Sequence, residues 1–285
     1  MGMDFWVIQS LNGLSFGALL FLLASGLSLI FGVMNIVNVA HGSYFMIGGY
    51  VGYSVFLRTG SFILACMVAA ISISLVGILM HYFFLRRYHT HFPQVLMTMG
   101  FALIIRDLTL VIWGGDPLSL ATPALLQGSV HIGSVTYPVY RGFVILIAIA
   151  VAVGLWLFNE KTSLGAKLRA TVDDNQMAMG IGINVPMVSS LMFGLGALLA
   201  GFGGVVGAPI LGVFAGIDFD ILPLAFVVVI VGGMGSLKGA AVGSILVGMV
   251  DTLGKALVPD LSYFTLFLPM AIVLAIKPTG LFGRQ

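Results

Sequence analysis

The chain has 285 residues, of which 60% are hydrophobic and only 8% charged, with a formal net charge of +2. A water-soluble domain carries about 25% charged residues, so this chain cannot clothe itself in well-solvated groups, and lipid must be its solvent over most of its area. The small net charge gives no basis for nucleic-acid binding, and the lone cysteine, Cys66, excludes an internal disulfide and a cysteine metal cluster.

A spanning helix needs about 20 mostly apolar residues. In chain order such stretches fall at 5–31, 38–57, 61–85, 94–113, 140–158, 187–211, 219–235, 239–258 and 262–277. The first is not preceded by a basic residue, so it reads as a spanning helix and not as a removed signal peptide. The segments at 38–57 and 219–235 are short or rich in glycine and open to being broken or re-entrant, which leaves eight or nine spans. The expected fold is all-α, a polytopic transmembrane helix bundle forming one domain over 1–285.

Basic residues collect on the cytoplasmic side of membrane proteins. Arg86, Arg87, Lys161, Lys167, Arg169, Lys238, Lys277 and Arg284 fall on one side of the nine-segment scheme. Arg58, Arg141 and the acids Asp4, Asp116, Asp218, Asp220 and Asp260 fall on the other. The loops holding Arg86 and Lys167 therefore face the cytoplasm, and parity puts the N-terminus outside.

Polar groups inside these segments need partners. Asn35, Asn38 and His41 precede Ser43 in the second segment, where Asn38 and His41 can share a helix face. They read either as structural hydrogen-bonding groups or, with Ser43, Tyr44 and Tyr50, as lining for a solute path. Arg106 and Asp107 lie in the fourth segment, and Arg106 is a further path candidate; Asp251 and Lys255 in the eighth are spaced for an ion pair. Glycine makes up 38 of the 285 residues. Gly201, Gly203, Gly204 and Gly207 in one run, and Gly232, Gly233, Gly235 and Gly239 in another, suit helices that approach closely. The second run lacks the phosphate-loop spacing, because Lys238 is followed by Gly239.

The long cytoplasmic stretch 159–186 holds a short helix expected from Ala166 to Met179. Leu168, Val172 and Met179 lie near one face, with Lys167, Arg169, Asp173 and Asp174 on the polar side. It reads as an interfacial helix or as a docking helix. Mixed-sign charge disfavours anionic lipid and favours a protein partner.

Four stretches together carry a family likeness: 38–50, 164–184, 231–240 and Lys277 to Gly283. In them the chain resembles the Liv-type permeases of branched-chain amino acid ABC importers, a family that also includes importers of urea, short amides and aromatic acids. The resemblance implies a transport subunit of a bacterial inner membrane that is not itself an enzyme and binds no cofactor. A second, homologous permease would pair with it. Two cytoplasmic ATPases would carry ATP and magnesium, and a soluble binding protein would deliver solute from outside. It also implies that 166–182 is the ATPase-coupling helix. Small hydrophobic solutes, hydrophobic amino acids first, are the expected cargo. An ion-coupled secondary transporter using Arg106, Asp107 and Asp251 is the alternative of another class.

Overall fold

A computed structural model describes residues 2–34, 36–88, 90–133 and 135–283. Asn35 and Arg284 lie outside the described residues. The helices are α1 (Met3–Met34), α2 (His41–Thr59), α3 (Phe62–Phe83), α4 (His91–Trp113), α5 (Val139–Lys161), α6 (Ser163–Asp173), α7 (Asn175–Gly180), α8 (Val185–Leu211), α9 (Ile217–Gly232), α10 (Leu237–Leu257) and α11 (Ser262–Ile276). Among the described residues six helices, those beginning at Met3, Phe62, His91, Val139, Val185 and Leu237, are long and apolar enough to cross a membrane. The helices α2, α9 and α11 overlap the remaining expected segments but are shorter or less apolar. The described residues also include a little β-structure. Strands β1 (Ser129–Ile132) and β2 (Val135–Pro138) form an antiparallel hairpin that pairs Ser129 with Pro138.

Two helices organise the interior. Most of α1 from Gly17 to Ile30 and of α8 from Val188 to Ala208 is buried, whereas α3, α4 and α5 turn large hydrophobics outward. Outward apolar faces on these helices are what a lipid-solvated bundle requires. Association in lipid rests on close packing, because tails are as apolar as leucine. Glycine supplies that closeness. Gly26 faces the Gly196 backbone, Gly17 faces Ser244, and Gly48 faces Gly201. Gly204 lies on the Phe45 carbonyl, Gly207 on the Phe45 ring and Leu19, and Gly232 on Gly239. Gly203 has ordinary room beside Leu22 and Phe45. Gly233 and Gly235 have φ of 104° and 78° and form the turn between α9 and α10, lying on Gly283 and Gly32 respectively.

The contacts also fix direction. Gly13 and Gly17 meet Met249 and Ser244, so α1 and α10 are antiparallel. Gly48 and Gly52 meet Gly201 and Val205, so α2 runs parallel to α8. The group α1–α4 and the group α8–α11 thus repeat one arrangement with opposite polarity: a long helix, a break, a shorter helix, then a returning one. The returning helices α3 and α10 both start on a serine, Ser61 and Ser236, whose side chain accepts from the amide three residues on. Inverted repeats with broken helices are a recurrent transporter plan.

Candidate functional site

The two breaks meet inside the bundle. After α1 the chain turns back, and α2 begins at His41, whose Nε2–H donates to the Leu23 carbonyl at 3.0 Å. Leu23 lies eleven residues from the end of α1, about 16 Å at 1.5 Å per residue. The turn is held by Asn38, whose Oδ1 accepts from the Ala40 amide at 3.1 Å, and by Thr98, whose hydroxyl accepts from the Val39 amide at 3.2 Å. The break after α8 ends on Gly216, which has φ 112° and stands as the N-cap of α9. Gly42 packs on the Asp218 backbone, and the Ser43 hydroxyl donates to Asp218 Oδ2 at 2.8 Å. The first turns of α2 and α9 therefore converge on one carboxylate.

Asp218 is only 3% exposed, and its Oδ1 makes no hydrogen bond of good geometry. An isolated buried carboxylate is costly, and two helix N-termini offset part of that cost through their partial positive charge. The Arg106 guanidinium stands beside Gly216, lies 5.3 Å from the centre of the Phe219 ring, and acts electrostatically on Asp218. Asp107 and Asp220 are exposed.

This geometry divides the residues named from the sequence as a solute path. Ser43 and Arg106 reach the junction, whereas Tyr50 lies seven residues further along α2, with its ring 5.1 Å from that of Trp113. His41 and Tyr44 point back into the bundle instead; the Tyr44 hydroxyl donates to Met80 Sδ at 2.7 Å. Asn38 holds the turn through its Oδ1, while its Nδ2 is buried without a hydrogen-bond partner. Asp218 was expected among external acids and is buried at the centre of the site. Its signal in the sequence is a carboxylate two residues after a glycine and ahead of an apolar run, the pattern of a helix first turn. The expected Asp251–Lys255 pair forms at 2.7 Å, away from this junction and near Phe16.

A groove of about 480 Å³ adjoins the junction. Phe219, Leu222 and Phe226 of α9 face Leu27 and Phe31 of α1 across it.

The helix expected over 166–179 differs from its expected form. It starts earlier, at Ser163, capped by Thr162, and it stops at Asp174. Asp174 takes extended dihedrals and caps α7 by accepting from the Met177 amide at 2.9 Å. The loop thus holds two short helices with a corner between them. Leu168 is buried against the protein's own core. Val172, Met177, Met179 and Ile181 are exposed, and Lys167 is exposed beside them. Arg169 is half-buried, and Asp173 closes α6.

A glycine-packed helical bundle with two inward-facing breaks and a loop of two short helices has the form of a multi-pass transport subunit. The chain belongs to the family described as the branched-chain amino acid transport system / permease component, which it matches over residues 9–276. It is 27% identical to the high-affinity branched-chain amino acid transport system permease protein LivH of Escherichia coli, over 98% of this chain and 96% of that one. It is also 27% identical to the corresponding permease protein BraD of Pseudomonas aeruginosa, over 97% of this chain and 95% of that one. A shorter likeness, 28% identity over 56% of this chain and 45% of the other, reaches the autoinducer 2 import system permease protein LsrC of Yersinia enterocolitica. No solved structure matches the chain.

Proposed function

We propose that this chain is a permease subunit of an ATP-driven ABC importer for branched-chain and other hydrophobic amino acids, working in a bacterial inner membrane. The observation that carries this reading is the family match over nearly the whole chain. The relatives' substrates extend to this chain through that match and through the apolar groove beside a polar junction. The six long apolar helices cross the membrane in this reading and α2, α9 and α11 cross or enter it, with Met3 outside and α6–α7 in the cytoplasm. ATP binding and hydrolysis belong to two separate ATPases. A second, homologous permease completes the pore, and a soluble binding protein supplies the solute.

The pair α6–α7 is the part that touches an ATPase. Its exposed Met177, Met179 and Ile181 can enter a groove on that partner as anchors from a helix. Co-expression with the ATPases and the second permease tests the assembly. A detergent-stable complex whose ATP hydrolysis rises with solute-loaded binding protein is expected. Purification of this chain alone, with no ATPase retained under any nucleotide condition, would contradict it.

A further inference from the structure

The junction has the parts needed to read an amino acid. Asp218 Oδ1 makes no hydrogen bond of good geometry, although Oδ2 of the same carboxylate is held by Ser43 and the backbone N–H groups of Asp218 and Phe219 act on the carboxylate. An α-ammonium group has three donors and no acceptor, which suits such a carboxylate oxygen. The Arg106 guanidinium lies at the same first turn of α9 and is only half-buried. Its planar fork suits a carboxylate. The apolar groove begins on the ring beneath Arg106, since Phe219 both faces the guanidinium and lines the groove, and it continues one turn along through Leu222. Its volume of about 480 Å³ falls within the range of small-molecule pockets.

We propose that the meeting point of α2 and α9 is an amino-acid subsite on the translocation path. Asp218 receives the solute's ammonium group, Arg106 its carboxylate, and the Phe219–Phe226 groove its aliphatic side chain. This rests on the permease reading above and narrows the cargo to zwitterions with an apolar side chain. Amides lack the carboxylate and simple carboxylic acids lack the ammonium group, so both lose one of the two polar contacts.

The test uses the assembled importer in proteoliposomes, with leucine as the probe. Asp218→Asn and Arg106→Gln are each expected to lower leucine uptake about tenfold or more, the scale of one charge-assisted hydrogen bond. Asp218→Glu should recover part of it. A second measurement holds even where those variants assemble poorly. In a Cys66→Ser background, Phe226→Cys places a single thiol in the groove. Millimolar leucine should slow its modification by a methanethiosulfonate reagent, and 4-methylpentanoate, which lacks the ammonium group, should not. Equal protection by both compounds, or by neither, would overturn the subsite. So would full leucine uptake by assembled Asp218→Asn. Wild-type importer that takes up leucine while these arms fail leaves the permease reading standing and removes only the subsite.

Discussion

Gly48→Leu and Gly201→Leu are each expected to abolish recovery of folded protein. Gly48 faces the Gly201 backbone where α2 lies against α8, and Gly201 itself faces Ile73 of α3. A Cβ on Gly48 would stand 2.5 Å from the Gly201 Cα, and a Cβ on Gly201 would stand 2.8 Å from the Ile73 Cβ. The nearest neighbour of Gly48 is backbone, which cannot rotate out of the way as a side-chain tip can. Overpacking a tight contact costs about 1–3 kcal/mol where the structure can adjust. A leucine at Gly48 must push α2 off α8 and one at Gly201 must push α3 off α8, each along a buried face, so even Gly48→Ala should fall at the upper end of that range. Gly154 is the control. It lies in α5 with open space around its Cα. Gly154→Ala should leave stability unchanged or raise it by up to about 1 kcal/mol through helix propensity. Thermal-stability profiles of detergent-solubilised protein decide the matter. A Gly48→Leu protein that is recovered in normal yield and melts with the wild type would show that the close approach of α2 and α8 does not hold the fold.

Met177→Asp combined with Met179→Asp is expected to detach the ATPases while the chain still inserts and folds. Both side chains are exposed on α7, where they contribute little to the bundle. Burying an apolar side chain of this size is worth about 1.5–3 kcal/mol. Replacing two such contacts with carboxylates that a partner would have to desolvate should weaken association by about a hundredfold or more. Leu168→Asp is the informative contrast. Leu168 is 4% exposed and packed in the core, so this change should lower the yield of folded protein and not selectively weaken docking. Co-purification of the ATPases, measured alongside the yield of this chain, separates the two effects. Undiminished ATPase retention by the double variant would remove α7 from the docking surface.

Helix existence and approximate position were legible because a spanning segment is a long apolar run that composition alone reveals. The glycine runs were legible for a related reason: small residues in lipid-solvated helices have few other uses. The depth at which a helix begins was not. The segments at 38–57 and 219–235 read as short or glycine-rich and open to being broken, but only the contacts of His41 with Leu23 and of Ser43 with Asp218 show that both begin inside the bundle. Drawing the seventh segment from its apolar run excluded Asp218, although an acid in a helix first turn is favourable there. Asp174 was read as one more charge on a helix face, yet its side chain ends one helix and caps the next. Leu168 and Met179 share an apolar face by periodicity, but the corner at Asp174 turns α7 out of register with α6. Which apolar side chain meets the protein's own core and which is left for a partner is a tertiary fact, absent from the period of a short helix.

ATP-dependent solute uptake is the most direct measurement of what this chain does. Proteoliposomes would hold this chain with its partner permease and both ATPases, with ATP on the α6–α7 side and leucine-loaded binding protein on the other. The account predicts leucine accumulation that requires ATP, stops with vanadate, and persists when ion gradients are collapsed. Leucine accumulation driven by an ion gradient without ATP, or downhill flux indifferent to ATP, would contradict it.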